Sequence, residues 1–193
     1  FNAFRDSLLA SLPMRPQSFS HIIDTHRPGA PLLPDETARP ALSPDAVEKL
    51  LAQGAVILDL RNSLAFAAAH IRGSYHVDAN EAQAPNWIGT AVPPQSRLVL
   101  GLDKDGDFED RRPVLQRIGY DDIAGWLEGG IATWIGRGKP VPGMQLLSRE
   151  AFDTLASAGK TGKVIDVRTD MEFSQYSLPG TLRLPFDRFL HEY

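Results

Sequence analysis

Cysteine is absent from the 193 residues. Disulfides, thiolate metal sites and every mechanism built on a cysteine nucleophile of this chain are thereby excluded. Positive charge is in deficit: 20 Lys and Arg stand against 24 Asp and Glu, for a net charge of −4 and a pI near 5.7. That balance argues against a nucleic-acid partner and against an anionic membrane surface. No apolar run approaches the roughly 20 residues that a membrane-spanning helix needs. A secretory leader pattern is also missing. The expected location is cytoplasmic. The chain opens on Phe1 and closes at Tyr193 without a closing helix, so a fragment of a longer protein is expected. What is present is ordinary for a folded domain: 42% hydrophobic and 23% charged residues, at a length suited to one or two domains.

Three regions separate on composition. Residues 1–40 carry Phe1, Phe4, Leu8 and Leu9 at helical spacing. Pro13, Pro16, Pro28, Pro31, Pro34 and Pro40 follow, and such proline density predicts an extended or turning connector. Residues 41–142 alternate helix and strand. Ser43-Pro44-Asp45 predicts a helix start with Ser43 as N-cap, Val47, Leu50 and Leu51 its apolar stripe, and Gly54 its end. Ala55–Leu60 is a continuous apolar run, as a strand buried on both faces requires. A short helix over Leu64–Ala69, a strand over Arg97–Leu100, a helix over Pro113–Ile118, a strand over Ile123–Leu127 and a helix over Ile131–Ile135 follow. The alternation predicts an open parallel α/β sheet flanked by helices.

Residues 143–193 restart the pattern. Leu42-Ser43-Pro44-Asp45-Ala46 matches Leu147-Ser148-Arg149-Glu150-Ala151, and Leu58-Asp59-Leu60-Arg61 matches Ile165-Asp166-Val167-Arg168. Phe66 matches Phe173 and Gly73 matches Gly180. The offset is 105 residues at Ser43/Ser148 and 107 at Asp59/Asp166, the size of a duplicated domain rather than a solenoid repeat. A helix near Ser148–Ala158 and strands near Lys163–Val167 and Leu182–Leu184 are expected. This half cannot bury its own sheet, so two outcomes are expected: a missing half that is disordered or cleaved, or a borrowed partner, by packing on the first copy or swapping into a homodimer.

Asp59-Leu60-Arg61, Phe66 and His70-Ile71-Arg72-Gly73 resemble the first signature of rhodanese-like domains. Gly119-Tyr120-Asp121-Asp122, Leu127-Glu128-Gly129-Gly130-Ile131-Ala132-Thr133-Trp134 and Gly138-Lys139-Pro140-Val141 resemble the closing one. The second copy, Asp166-Val167-Arg168 through Phe173 to Gly180, resembles another opening, with Ser177 where the first copy has His70. The resemblance implies a rhodanese-like fold over residues 41–142 and the N-terminal half of a second one over 143–193. Active members carry a persulfide on a loop cysteine, cradled by backbone N–H groups. The matching loop here is Gly101-Leu102-Asp103-Lys104-Asp105-Gly106. Over residues 101–110 five acids face Lys104, which leaves a local charge of −4. Such a loop repels thiosulfate and persulfide, so the first copy is expected to be inactive as a sulfurtransferase.

Asp103-Lys104-Asp105-Gly106-Asp107 also resembles the start of an EF-hand loop. The pattern fails where it needs glycine and a bidentate glutamate, at Phe108 and Val114. The acids are instead expected to favour the start of the following helix. Asp59 and Arg61 are expected to form a structural pair, with Arg61 reaching groups near the Gly129-Gly130 turn. Glu128 is expected to close that turn by accepting hydrogen bonds. His70 and His76 lack the spaced partners of a zinc site and are taken as structural, and Trp126 and Trp134 as core.

Residues 4–33, with Phe4, Leu12-Pro13, Phe19, Ile22-Ile23 and His26-Arg27-Pro28-Gly29-Ala30-Pro31-Leu32-Leu33, resemble the connector that follows the metallo-β-lactamase-fold domain of hydrolases with C-terminal rhodanese domains. Persulfide dioxygenase-like and glyoxalase II-like proteins are of that kind. The resemblance implies an upstream metal-binding domain as partner, no cofactor in this chain, and a role in sulfide or persulfide metabolism. Two other readings stay open: part of an active sulfurtransferase whose cysteine lies beyond Tyr193, and a free-standing protein-binding module.

Overall fold

The computed structural model describes residues 2–10, 16–29 and 39–186. Of the expected connector, Leu12, Pro13, Ala30–Leu33 and Pro34 lie outside these residues, as does the segment 187–193. Two compact units emerge, one of residues 17–146 and one that joins the first helix to residues 147 onward.

The unit 17–146 is built on five parallel strands. They are β1 (Ala41–Leu42), β2 (Val56–Asp59), β3 (Tyr75–His76), β4 (Leu98–Gly101) and β5 (Ile123–Leu127), in spatial order β1-β5-β4-β2-β3. Alternation along the two central strands divides the core. Leu58, Leu60, Leu98 and Leu100 face one side, where they meet Ile88, Phe108, Leu115 and Tyr120. Ile57 and Val99 face the other, against Val47, Ala124, Leu127 and Trp134. A strand apolar on both faces is what a parallel sheet covered by helices demands.

Helix α3 (Pro44–Ala52) starts as expected. The Ser43 hydroxyl accepts from the Ala46 N–H at 3.3 Å, Pro44 occupies the first turn, and Gly54 follows the helix at φ 92°. Helices α4 (Ser63–Ala68) and α7 (Gly130–Gly136) also form near their expected positions. Helix α6 (Phe108–Arg117) begins five residues before the expected start at Pro113. Buried Phe108 anchors the start, and Glu109 and Asp110 lie in the first turn, where negative charge is favoured. Pro113 is carried inside the helix, where it supplies no N–H for the Glu109 carbonyl one turn before it.

Helix α2 (Gln17–His26) stands where an extended connector was expected. Pro16 and Pro28 bracket it, and the residues between them contain no proline. The helix packs against α5 (Ala84–Ala91), and the Gln95 amide lies 3.1 Å from His21 Nδ1. Strand β1 depends on one glycine. At Gly125, φ 144°, an added Cβ would fall 2.1 Å from the Pro40 carbonyl oxygen.

The second unit holds α1 (Asn2–Ala10), α8 (Arg149–Ser157), β6 (Ile165–Asp166), α9 (Asp170–Gln175) and β7 (Leu182–Arg183). β6 and β7 pair in parallel, Ile165 opposite Leu182 and Asp166 opposite Arg183. β2 and β3 pair in the same way, Leu58 opposite Tyr75 and Asp59 opposite His76. Helix α8 starts as α3 does, since the Ser148 hydroxyl accepts from the Ala151 N–H at 3.2 Å. No helix among the described residues is long and apolar enough to cross a membrane.

Candidate functional site

The carboxyl ends of the central strands of an α/β sheet are where ligands bind in such folds. Here those ends carry Asp59, Gly101 and Leu127. Asp59 terminates β2 and is buried with Arg61. Arg61 Nε and Nη2 donate to the two Asp59 carboxylate oxygens at 2.9 and 2.6 Å. The guanidinium also donates to the Ala69 carbonyl at 2.8 Å and the Ala65 carbonyl at 3.5 Å. Arg61 therefore ties down the C-terminal end of α4 and does not reach the Gly129-Gly130 turn, because its fork is consumed by Asp59 and by the carbonyls that end this helix. The paired charges neutralise each other, and neither is free for an incoming anion.

Gly101 ends β4 directly beside Asp59, and a Cβ there would lie 3.2 Å from the Asp59 Cγ and 3.3 Å from its Cα. Leu102 is buried, whereas Asp103, Lys104 and Gly106 are exposed. Asp105 opens a 3₁₀ turn, Asp105–Asp107, that leads into α6. Its carboxylate accepts from the Gly129 N–H at 3.1 and 3.3 Å. The structure thus brings the loop 101–106 and the Gly129-Gly130 turn together. Both glycines have left-handed φ, 65° and 63°, which side-chain-bearing residues adopt at a cost. Beneath the loop lies a cavity of only 10 Å³ lined by Asp59, Arg61, Leu102, Ile131 and neighbouring apolar side chains. It has room for about one water.

Glu128 closes the turn through its backbone rather than its side chain. Its N–H donates to the Leu42 carbonyl at 3.0 Å, and its carbonyl accepts from the Thr133 hydroxyl. The sequence points to the carboxylate instead, because a carbonyl acceptor 86 residues away, on β1, leaves no local signal. Trp134 is buried, and its indole N–H donates to the Pro140 carbonyl at 3.3 Å. Lys139 lies over its ring at 5.3 Å and pairs with Glu48 at 2.7 Å and Asp45 at 3.2 Å. The Glu48 hydrogen bond, aided by Asp45, holds the Lys139 ammonium above the usual lysine range.

His70 and His76 stand away from the loop. They stack on opposite sides of the fold's Phe66, with ring centroids 4.3 and 4.1 Å from it. His70 Nδ1 donates to the Phe66 carbonyl at 3.1 Å and His76 Nε2 to the Arg61 carbonyl at 3.0 Å. Gly73 supplies the turn into β3 at φ 82°. Among the described residues no group of three or more histidines and acids is arranged to hold a metal ion.

Asp166, Arg168 and Gly180 reproduce their counterparts in detail. Arg168 Nη2 donates to Asp166 at 2.6 Å and to the Tyr176 carbonyl at 2.7 Å, eight residues on, as Arg61 does to Ala69. Gly180 has φ 79°. The Arg183 guanidinium lies 5.0 Å over Phe173, in the place His76 takes over Phe66. The Arg168 hydrogen bond holds the Asp166 carboxyl below the usual carboxylate range.

Against known proteins, residues 43–137 match the family model of the rhodanese-like domain. Thiosulfate sulfurtransferase GlpE of Ectopseudomonas mendocina and that of Pseudomonas fluorescens are each 27% identical over 93 residues, 48% of this chain and 82% of theirs. Among solved structures, the Alr3790 protein from Anabaena sp. matches with a TM-score of 0.48 at 16% identity, over 61% of this chain and 99% of that one. A thiosulfate sulfurtransferase from Pseudomonas aeruginosa matches with a TM-score of 0.46 at 20% identity, over 75% of this chain and 31% of that one.

Proposed function

We propose that residues 43–137, which match the family model of the rhodanese-like domain, form a non-catalytic module of a protein in sulfide or persulfide metabolism. The observation that carries the reading is the loop after β4. It offers Asp103, Lys104 and Asp105 where a sulfur carrier is needed, and the Asp105 carboxylate already occupies the Gly129 N–H. Sulfur transfer needs a thiolate that holds a transferable sulfur, and neither a hydroxyl nor a carboxylate does so. The acids also oppose the approach of a thiosulfate dianion.

The module's place in a larger protein rests on the resemblance of residues 4–33 to a connector behind a metallo-β-lactamase-fold domain. That domain would hold the metal, and this module takes no cofactor. Residues 147–186 are the opening half of a second rhodanese-like copy, a reading supported by the repeated pair, cap and glycine geometry described above. The experiment is an assay of thiocyanate formation from thiosulfate and cyanide by the purified chain. The expected result is no product above a heat-killed control, and product above that control overturns the non-catalytic reading.

A further inference from the structure

Between α5 and α6, on the side of the sheet that Leu60 faces, lies a cavity of 180 Å³. It shares no lining residue with the small cavity beneath the loop 101–106. Leu60, Ala84, Ile88 and Leu115 line it and are buried. Ala79 and Ala82 line it from the segment that leads from β3 to α5. Their short side chains leave the space in front of half-buried Val114 unfilled.

One charge is fixed at this cavity. Arg111, on α6, is half-buried and lines it. Arg111 Nη1 donates to the Ala79 carbonyl at 3.2 Å, and Nη2 donates to Asn80 Oδ1 at 3.1 Å. The Asn80 amide nitrogen donates in turn to Asp78 Oδ1 at 3.1 Å, which leaves its oxygen for Arg111. The guanidinium is thus posed before any ligand arrives, and the entropy of ordering a long side chain is already lost on folding. Both acceptors are uncharged and do not neutralise it. Three of its five N–H donors remain. A second charged residue on the lining, Glu81, is exposed.

We infer that this cavity binds a small monocarboxylate, with an apolar body of about six carbons between α5 and α6 and its carboxylate on Arg111. Size sets the body, since an apolar cavity of about 150 Å³ takes one benzene ring. Charge sets the head, because a planar guanidinium matches a carboxylate through paired N–H···O bonds. Glu81 opposes a second negative charge, so dicarboxylates and phosphate esters are disfavoured. Binding here needs nothing from the loop 101–106, whose non-catalytic reading stands or falls separately.

The test is a calorimetric titration of the full chain with benzoate, paired with amide chemical shifts. The expected dissociation constant is about 1 mM or tighter, within reach of a ligand of about nine heavy atoms. The shifts should centre on the Ala79, Ala82 and Val114 amides. Benzamide keeps the shape and lacks the charge, and should bind about tenfold more weakly. Arg111→Met should bring benzoate down to the level of benzamide and leave benzamide unchanged. Val114→Phe fills the cavity with Arg111 in place, and should weaken both ligands by about tenfold or more. Tryptophan fluorescence, with Trp87 on α5, reports whether each variant is folded. If Arg111→Met does not fold, Val114→Phe and the benzamide comparison still decide. No benzoate binding, equal binding of benzamide, or shifts centred elsewhere overturns the inference. So does full affinity in a folded Arg111→Met or Val114→Phe. Thiocyanate formation reads a separate site, so failure of either proposal is seen without the other.

Discussion

Arg61 Nη2 lies 2.6 Å from Asp59 Oδ2, with both side chains sealed from solvent; Arg168 and Asp166 repeat that distance, with the Arg168 side chain 40% exposed. One sequence motif thus builds the same fork twice, once inside a finished core and once in a partly exposed setting. Energetics should separate the two. Removing one partner of a buried pair strands the other charge and costs about 3–5 kcal/mol, whereas water that reaches the Arg168 guanidinium screens the second pair.

Arg61→Ala is therefore expected to lower the stability of the unit 17–146 by about 3–5 kcal/mol, through the stranded Asp59 and the freed Ala69 carbonyl. Trp87, Trp126 and Trp134 all lie in this unit, so denaturant unfolding followed by tryptophan fluorescence reads it directly. Arg168→Ala should leave that fluorescence midpoint unchanged. An unmoved midpoint for Arg61→Ala would refute the structural role.

Tyr120 is buried, and its hydroxyl donates to the Val92 carbonyl at 2.6 Å at the end of α5. Tyr120→Phe leaves that carbonyl buried without its donor, at a cost of about 1–3 kcal/mol. Burial, then the neighbouring Tyr75, pushes the phenol well above the usual tyrosine range. The neutral phenol is what the fold favours. Its contribution is present below about pH 10, the ordinary tyrosine value, and is lost as pH rises toward the raised one. Alkaline spectrophotometric titration should show one tyrosine that ionises late and disappears in Tyr120→Phe; four normal tyrosines would contradict this.

Much of this architecture was legible in the residues, and the parts that were not have identifiable causes. The Ser43-Pro44 start and the run from Ala55 to Leu60 carry local signals, cap chemistry and continuous apolarity, that the structure obeys. β1 and β3 are two residues long and offer no period to detect. β1 exists because Gly125 lets the Pro40 carbonyl approach, a tertiary cause. Helix α2 was hidden by averaging proline over forty residues when its ten contain none. At the site, the repeated Asp-x-Arg motif located the buried pair. The reach of Arg61 and the contact between Asp105 and Gly129 span distances along the chain that spacing does not encode.

Asp166 and Glu172 should make residues 147–186 sensitive to acid. The hydrogen bonds from Arg168 to Asp166, and from the Thr169 side chain and backbone to Glu172, hold both carboxyls below their usual range. A depressed folded value contributes stability above the unfolded value, about pH 4, and loses it as pH falls through the folded one. Exchange protection of the Leu182 and Leu184 amides, which lock β7 to β6, should therefore weaken below about pH 4. Asp166→Asn should shrink that acid loss, and Glu172→Gln added to it should shrink it further. An acid profile unaltered by Asp166→Asn would rule the linkage out.

Asp105 tests the non-catalytic reading proposed for the loop. Two causes coincide there: no thiolate is present, and the acids repel anions. They are separable because they respond to different changes. Asp105→Asn keeps a carbonyl oxygen for the Gly129 N–H and removes a charge, so most stability should survive. Asp105→Ala removes the acceptor and should cost about 0.5–1.5 kcal/mol, the net value of one such bond where water can replace it. Neutralising the loop with Asp103→Asn, Asp105→Asn and Asp107→Asn together removes most of the repulsion while leaving the sulfur carrier absent. Thiocyanate formation by that triple variant should stay at the level of the heat-killed control, since charge alone supplies no nucleophile. Turnover above the control would show that electrostatics rather than missing chemistry held the site inactive.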